Sequence, residues 1–395
     1  MIQESLKVKN VGALKDVNLK ELKPLTVLIG ASASGKSTLM KVIALVRYIY
    51  KRVNIKAYLR NSDIDGAIFY IRFQDFLKDG MKDLIMPDSE IVYTVRVNGH
   101  PYVIQYKNSK LTTPNEIPNE DLLFFKEAWV SEMRSVIPVW ASRGSLVKGS
   151  SFGFYFDETF SDFDDATNVV KNIDLDYLGI KLEVLKGGNN QKKYMISPND
   201  ASYEPIELKF ASSGTQTTAP LVTLLKYFSS EFSFKEAMRR SIIMTLFEKD
   251  LTEKYHPGIE LGNIPKYVHL HAEEPELSLD PRSQRRLVDT MMRYTFHGRS
   301  DDREMGLVLA THSPYIINHL NVLLRASYNR QGREYYPYIT PDSVAAYKIT
   351  DGSLMDLMAT DDESGQQIIN TLDLSEIMED IYNDYEALAE GGAQE

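Results

Sequence analysis

The sequence has no cysteine among its 395 residues. This absence excludes disulfide bonds, thiolate metal sites and cysteine nucleophiles. Its seven histidines are scattered along the chain, which argues against a histidine metal cage. No apolar run reaches the ~20 residues needed to cross a bilayer, and residues 1–6 lack the basic and apolar regions of a secretory signal. We therefore expect a cytoplasmic protein with no membrane partner.

Positive charge is missing from residues 351–395, which contain thirteen Asp and Glu and no Lys or Arg. Because the net charge of the whole chain is −10, the remainder carries about +3. A nearly neutral body can still present local basic clusters, and two stand out: Arg239 with Arg240, and Arg282 with Arg285 and Arg286. Either solvated helix surface or nucleic-acid contact accounts for such clusters. The acidic tail is either a solvated segment or a surface that docks a basic partner.

The order of predicted elements indicates an α/β protein. The apolar run Leu25–Ile29 predicts a buried strand that ends at Gly30, and a helical pattern starts at Ser37. From Tyr267 onward, apolar runs alternate with helical patterns, which is typical of a mainly parallel sheet. We expect a mixed, mainly parallel sheet with helices, formed by residues 1–50 and 205–350.

Residues 51–204 mix segments of alternating polarity with a helical pattern, and they are predicted to be an inserted α+β region. Residues 119–135 are predicted to be helical. A hairpin is predicted between Ile180–Val184 and Lys193–Ile196, with its turn at 187–190. Residues 351–395 are predicted to form a short, helical, acidic tail.

A phosphate-binding loop is the strongest motif in the chain. The segment 30–37 fits G-x-x-x-x-G-K-[ST] and lies between a predicted buried strand and a predicted helix, as that motif requires. Backbone N–H groups of such a loop cradle phosphate oxygens, the lysine binds the β- and γ-phosphates, and the serine hydroxyl binds magnesium. The predicted nucleotide-binding residues here are Gly30, Ala31, Ser32, Ala33, Ser34, Gly35, Lys36, Ser37 and Thr38.

Two adjacent carboxylates end the predicted strand that starts at Tyr267. We predict that Glu273 joins Ser37 in holding Mg²⁺ and that Glu274 is the general base that polarises the attacking water. The alternative is an ordinary acidic helix start. His312 ends the next predicted strand, and because strand ends converge in parallel sheets, it is predicted to bind the γ-phosphate.

Taken in order, these motifs resemble the ABC-type ATPase superfamily, and within it the soluble branch of SMC-like heads, OLD-type ATPases and ATPase subunits of bacterial phage-defence systems. The resemblance also rests on Ser212-Ser-Gly-Thr-Gln216 and Ser278-Leu-Asp-Pro281. It implies that Ser212, Ser213 and Gly214 of one copy close over ATP bound to the other copy. It further implies that Asp280 lies in a loop spanning the dimer and that His312 is the switch histidine.

The sequence departs from the family pattern at two points. Glu273 stands where the family usually has Asp, and the signature turn differs from the Leu-Ser-Gly-Gly-Gln of transporters. The glutamine loop is hard to place. Gln74 is one candidate for it, against an ordinary surface glutamine.

The resemblance implies an ATP- and Mg²⁺-dependent ATPase that forms at least a homodimer. We expect a regulatory or scaffold subunit of an anti-phage defence system of the PARIS or Septu kind, acting with a separate nuclease. A fused nuclease domain is not expected in the fewer than about a hundred residues after His312. The alternative is a RecF- or SMC-like DNA-repair ATPase that binds DNA. A transporter cassette is a third, less favoured interpretation.

Overall fold

The computed structural model describes residues 2–62, 64, 70–142, 151–187, 192–247, 261–300 and 302–391. Its strands are β1 (Gln3–Val11), β2 (Leu14–Leu19), β3 (Leu25–Ile29), β4 (Ile85–Val97), β5 (His100–Lys107), β6 (Lys110–Thr112), β7 (Phe124–Val130), β8 (Asn172–Leu175), β9 (Ile180–Lys186), β10 (Lys192–Pro198), β11 (Ile206–Glu207), β12 (Lys266–Glu273), β13 (Glu304–Thr311), β14 (Val344–Thr350), β15 (Ser353–Asp356), β16 (Met358–Thr360) and β17 (Gln367–Ile369).

Its helices are α1 (Lys36–Arg60), α2 (Met81–Leu84), α3 (Ile137–Ala141), α4 (Phe154–Val169), α5 (Ser213–Lys226), α6 (Phe234–Phe247), α7 (Pro281–Met292), α8 (Pro314–Ala326), α9 (Arg330–Tyr335) and α10 (Leu372–Gly391). Helices α5 and α7 each continue into a short π-helical turn.

One large mixed sheet organises the molecule. Its strand order is β6-β5-β4-β1-β2-β15-β14-β3-β13-β12-β7. Strands β14, β3, β13, β12 and β7 are parallel to their neighbours in that series, whereas β1, β2, β4, β5 and β6 pair antiparallel. The α/β class predicted from the sequence is therefore confirmed.

Burial explains why the two halves of the sheet differ. All five residues of β3 are buried, and β12 and β13 are buried almost throughout, as expected for parallel strands covered on both faces. Strand β1 instead alternates buried and exposed residues, because one of its faces meets solvent. Helix α1 packs on the parallel half, and its long buried face forms much of the core.

The segment 51–204 contributes to two sheets. Strands β4, β5, β6 and β7 belong to the large sheet, whereas β8, β9 and β10 form a small sheet with β11. The predicted hairpin is present as β9 and β10, with Val184 opposite Tyr194; most of its turn lies outside the described residues. The division into a discontinuous head, an inserted region and a tail stays a prediction.

The helix predicted over residues 119–135 is wrong. The middle of that segment is strand β7, which pairs in parallel with β12 at the edge of the large sheet. The residues at both ends of β7 are buried. Its run, Phe-Phe-Lys-Glu-Ala-Trp-Val, is too short for periodicity to distinguish a helix from a buried strand, and its aromatic residues favour a strand. The long-range pairing with β12 is what makes this segment a strand.

A buried polar network ties α1 to both halves of the sheet. Arg47 donates to both carboxylate oxygens of Glu4, at 2.8 Å each, and Tyr93 donates to the same carboxylate. His269 contacts Glu127 through Nδ1 at 2.7 Å, and its Nε2 lies 3.9 Å from Glu4. Paired, hydrogen-bonded charges of this kind tolerate burial, whereas removing one partner leaves the other charge buried and uncompensated. The network therefore fixes α1 against β1, β4, β7 and β12.

The acidic tail has more structure than predicted. Strand β15 pairs with β14 and joins the large sheet, and β16 and β17 form a short antiparallel pair. The predicted helix is α10, on which Tyr385 and Leu388 are 70% and 78% exposed. No helix in the described ranges combines the length and the apolarity that a membrane crossing requires.

Candidate functional site

The loop between β3 and α1 has the backbone that a phosphate cradle needs. Gly30 and Gly35 have φ values of 150° and 110°, which strongly favour glycine. A Cβ at Gly30 would lie 2.7 Å from the Ile349 carbonyl oxygen, and one at Gly35 would lie 2.8 Å from Leu14 Cδ2. Both positions therefore require glycine for two reasons, backbone conformation and close packing.

Backbone and side-chain donors are concentrated at this loop. Helix α1 begins at Lys36 without a side-chain cap, so the N–H groups of its first turn are open to an anion. Ser34 Oγ is buried and has no hydrogen-bond partner. Lys36 Nζ donates to the carbonyl oxygens of Gly30 and Ala31, at 2.8 and 2.9 Å. The first-turn N–H groups of α1 and the Lys36 ammonium are the donors that a bound polyphosphate would contact.

A cavity of about 660 Å³ opens over the loop, and we call it the front cavity. It is lined by residues 32–38 of the loop and by Lys41, and across from them by Glu273, Glu274 and His312. These predicted groups come from three neighbouring parallel strands, β3, β12 and β13, whose carboxyl ends meet at one edge of the sheet. The structure thus brings together the predicted loop, acids and histidine.

Glu273 and Glu274 differ in environment although they are adjacent. The Glu273 carboxyl is buried, accepts a hydrogen bond from Trp129 Nε1 at 3.3 Å, and lies within hydrogen-bonding reach of Ser37. The Glu274 side chain is 43% exposed in the cavity. Glu274 has a φ of 43°, an uncommon backbone state for a non-glycine residue. One acid therefore faces the Ser37 hydroxyl, while the next is accessible to solvent.

Sequence reasoning missed a further carboxylate. Glu132 follows β7 and lines the front cavity beside Glu273. Burial, followed by the hydrogen bond and the negative charge of Glu132, raises the pKa of Glu273 to about 8. The hydrogen bond from Glu273 is the main reason why the pKa of Glu132 is lowered. Without a cation, Glu273 is therefore the carboxyl that keeps its proton, and it is hydrogen-bonded to the ionised Glu132.

Gln74, the residue considered for the glutamine loop, lies away from this group of acids. Gln74 is exposed on a short 3-10 turn and does not line the front cavity. The strand end next to Glu273 instead carries Ser131 and Glu132, and Ser131 Oγ donates to Glu132 Oε2 at 3.0 Å. The apolar-to-polar change at Val130 was the available signal, and the helical interpretation of residues 119–135 obscured it.

His312 is held next to Glu274 by the turn that follows β12. His312 Nε2 lies 3.9 Å from Glu274 Oε1. The carboxylate of Glu276 accepts hydrogen bonds from the His312 backbone N–H and from Thr311 Oγ1, both at 2.8 Å. Glu276 therefore orients the histidine loop, and the imidazole and the candidate base face the same space.

The predicted signature residues lie elsewhere in the same chain. Ser212 caps α5 by accepting from the Thr215 backbone N–H at 3.3 Å, and Ser212 and Ser213 are exposed. A Cβ at Gly214 would lie 2.8 Å from the Ser278 carbonyl oxygen, so glycine is needed at that approach. None of the three lines the front cavity of its own chain.

Asp280 likewise stays outside the front cavity. Its carboxylate caps α7 by accepting from the backbone N–H groups of Arg282 and Ser283, at 2.9 and 3.3 Å. It also accepts from the Ser283 hydroxyl at 2.5 Å, and these hydrogen bonds lower the pKa of Asp280. Capping of α7 is sufficient reason for an acid at position 280. The contact of Asp280 across a dimer stays a prediction.

A second missed residue, Arg134, connects the parts of the site. Its guanidinium is fully buried, and its hydrogen bonds within the described part of the chain go to backbone carbonyl oxygens. The acceptors are those of Thr217 at 3.1 Å, Ser131 at 3.2 Å, Glu273 at 2.8 Å and Glu274 at 2.6 Å. Arg134 thus joins α5, the end of β7 and the end of β12.

No family model matches this chain, and no curated protein matches it. Among solved structures, it is similar to the SMC head domain from Thermotoga maritima, with 11% identity over 90% of this chain and 98% of that one and a TM-score of 0.38. It is similar to the Smc head domain from Pyrococcus furiosus, with 9% identity, coverage of 97% and 100%, and a TM-score of 0.42. It is also similar to the recombination mediator RecF, with 13% identity, coverage of 90% and 98%, and a TM-score of 0.35. At such identities and scores these likenesses concern the fold at most, so function has to come from the residues of the site.

Proposed function

We propose that this chain is an ABC-type ATPase that binds ATP in the front cavity and hydrolyses it to ADP and phosphate. The observation that carries the proposal is the convergence of the phosphate loop, Glu273, Glu274 and His312 on one cavity of about 660 Å³. Each group has the chemistry that phosphoryl transfer requires. The open N–H groups at the start of α1 bind phosphate oxygens, and the Lys36 ammonium turns from the loop carbonyls to the β- and γ-phosphates.

Oxygen ligands for a magnesium ion are present in the same cavity. The Ser37 hydroxyl and the carboxylates of Glu273 and Glu132 are of the kind that Mg²⁺ prefers, together with nucleotide phosphates. Bound there, the ion would neutralise phosphate charge as the γ-phosphoryl group leaves. The proton shared by the two carboxyls would be released on binding.

Glu274 is positioned to act on water. Its carboxylate accepts a proton from water as the water oxygen bonds to the γ-phosphorus and the bond to the β-phosphate oxygen breaks. His312, 3.9 Å from Glu274, is near enough to hydrogen-bond the γ-phosphate or the phosphate that is produced. The buried Arg134 and Glu276 hold the backbone on which both side chains are presented.

The test is ATP turnover and nucleotide binding in three variants. Lys36→Ala should abolish ATP binding, because it removes the cation of the phosphate loop. Glu274→Gln should bind ATP normally, lose turnover by about 10²-fold or more, and accumulate an ATP-bound dimer in gel filtration. Lys7→Ala, an exposed lysine on β1, is the control and should match the wild type. Wild-type turnover in Glu274→Gln would remove Glu274 as the base.

Dimerisation on ATP belongs to the same proposal. Ser212 and Ser213 are exposed and do not line their own cavity, and Phe210 beside them is 72% exposed. Small donors at the start of α5 suit the γ-phosphate of a nucleotide bound to a second copy. The site would then be completed only when two copies meet.

For the biological role, we propose a regulatory or scaffold subunit that acts with a separate effector such as an anti-phage nuclease. What supports a protein partner is α10, an exposed acidic helix with apolar side chains at Ile381, Tyr385 and Leu388. Truncation before Leu372 should then abolish co-purification with the effector while leaving ATP turnover unchanged. Retained co-purification would remove α10 as the docking element.

A DNA-repair ATPase is the second candidate. Arg282, Arg285 and Arg286 are exposed on one face of α7, which favours contact with phosphates. This candidate predicts DNA-stimulated ATP hydrolysis that falls steeply as salt is raised. Turnover indifferent to DNA at low salt would exclude it.

A further inference from the structure

The front cavity has a third wall that nucleotide hydrolysis, as proposed above, does not use. This wall comes from the start of α4 and from the turn before α2, which contributes Asp79. Its side chains are largely aromatic: Phe152, Tyr155 and Phe156. Aromatic rings are not ligands for phosphate oxygens or for magnesium. The wall therefore suits a different part of a nucleotide from the part that the phosphate loop holds.

Phe152 is the aromatic residue of this wall with an open ring surface. It is 48% exposed, whereas Phe156 is 2% exposed. The ring of Tyr155 is already covered, because the Lys41 ammonium lies 5.3 Å from its centroid and the Trp129 ring centroid lies 4.2 Å from it. Among the described residues that line the front cavity, Phe152 therefore offers the ring on which a flat molecule can stack.

Two other aromatic rings support Phe152. The Trp140 ring centroid lies 4.3 Å from that of Phe152, with an interplanar angle of 57°. The Phe156 ring centroid lies 5.3 Å from it, with an interplanar angle of 86°. These contacts restrict the rotamers of Phe152 while half of its surface stays open. A flat ligand that covers the open half would remove apolar surface from water and would cost little further side-chain entropy.

The backbone beside Phe152 is fixed by Asp79. The Asp79 carboxylate accepts hydrogen bonds from the backbone N–H groups of Phe154 and Tyr155, at 2.7 and 2.9 Å. Gly153 has a φ of 112°, and a Cβ at Gly153 would lie 3.1 Å from Asp79 Oδ1, so glycine permits this close approach. The ring of Phe152 is thus held at the cavity before any ligand binds, which favours affinity.

We propose that Phe152 is the residue on which the base of the bound nucleotide stacks. This inference rests on the proposed function, because it takes the phosphates to be held by the loop at residues 30–37. A nucleotide has one flat aromatic part, and the wall that carries Phe152 is the aromatic part of the same cavity. Stacking of a base on an aromatic side chain contributes affinity without hydrogen bonds to the edges of the base. Phe152 therefore favours nucleotides over bare polyphosphates.

Calorimetric titration with ADP and with pyrophosphate tests this role, since pyrophosphate has no base and ADP has no γ-phosphate to lose. Phe152→Ala should raise the Kd for ADP about tenfold and change the Kd for pyrophosphate by less than about twofold. Phe152→Tyr keeps the ring and should bind ADP within about threefold of the wild type. The matched control is Phe154→Ala, which removes a ring that does not line the front cavity and should leave both Kd values unchanged.

Three results would overturn the role of Phe152 alone. They are a Kd for ADP that is equal in Phe152→Ala and the wild type, a loss of affinity in Phe152→Ala that is equal for ADP and pyrophosphate, and a Phe152→Tyr variant that binds ADP as weakly as Phe152→Ala. Because Phe152 is half exposed, its variants should unfold at the wild-type temperature. A wild type that binds neither ligand would instead overturn the proposed function, and the role of Phe152 with it.

Discussion

At the scale of single residues, the unusual feature is a pair of carboxyls that share one proton. Burial and Glu132 raise the pKa of Glu273 to about 8, against 4.5 for an unperturbed glutamic acid. Between those two values the folded protein keeps a proton that the unfolded chain has lost. The contribution of Glu273 to stability is therefore complete below pH about 4.5 and is lost as the pH rises through about 8.

This sign leads to a prediction for Glu273→Gln in the absence of metal and nucleotide. Glutamine cannot ionise, yet its amide can still donate to Glu132. The variant should therefore not show the loss of folding stability that the ionisation of Glu273 causes as the pH rises. The wild type should lose stability relative to Glu273→Gln as the pH rises from about 5 to 8, by at most ~1.4 kcal/mol per pH unit. Thermal unfolding in EDTA across that pH interval measures the difference.

The control for this experiment is Glu116→Gln, which removes one exposed carboxyl. It should follow the wild type at every pH. A constant offset between the wild type and Glu273→Gln over the whole interval would show that Glu273 is already ionised in the folded protein. The shared proton would then be ruled out.

At the scale of elements, the site depends on how β7, β12 and α5 are joined. Arg134 contacts all three at once, by donating to the carbonyl oxygens of Ser131, Thr217, Glu273 and Glu274. A guanidinium presents five N–H donors from three nitrogens in a planar fork, whereas a lysine ammonium presents three from a single nitrogen and cannot span the same four acceptors. The backbone of Glu274, at a φ of 43°, is held from one side by Arg134 and from the other by its N–H bond to the Ala310 carbonyl.

We therefore predict that Arg134→Lys lowers kcat by about tenfold or more while the KM for ATP changes by less than about threefold. Stability should fall by about 1–3 kcal/mol, since buried carbonyls lose their donor. The matched control is Arg303→Lys, a second buried arginine that donates to the Phe228 carbonyl far from the cavity. It should lose stability but keep kcat. Equal kcat in both variants would reduce Arg134 to a structural role.

The same elements show what the sequence could and could not predict. Strands β3, β12 and β13 were predictable because each is a short apolar run ending in glycine or polar residues, and the phosphate loop was predictable from its fixed spacing. Strand β7 was not predictable, because it forms by pairing with β12, which is distant in the sequence, and the local pattern of residues carries no information about that pairing. Glu132 and Arg134 both follow the end of β7, so they were missed together.

At the scale of the whole molecule, the question is whether one chain contains a complete site. The front cavity has the phosphate loop, the two acids and His312, while Ser212, Ser213 and Gly214 lie outside it. A twofold dimer would place the start of α5 of each copy over the cavity of the other, and the two sites would then be equivalent. This arrangement can be tested by mixing variants that are inactive for different reasons.

Lys36→Ala removes the phosphate loop of a chain, and Ser212→Arg blocks the start of its α5, so each variant alone should be inactive. In a mixed dimer, the intact loop of the Ser212→Arg chain would face the intact α5 of the Lys36→Ala chain. An equimolar mixture should therefore recover roughly a quarter of the wild-type ATP turnover if mixing is random and the sites are independent. Ser212→Asn, which preserves the cap of α5, should remain active on its own.

The matched control mixes Lys36→Ala with Glu274→Gln. Both changes affect groups that line the same front cavity, so no combination of these two chains contains an intact site, and the mixture should stay inactive. Recovery in the first mixture but not in the second would mean that the phosphate loop and Glu274 act within one chain while Ser212 acts across the interface. No recovery in the first mixture, with heterodimers detected by a size tag, would exclude a site shared between two copies.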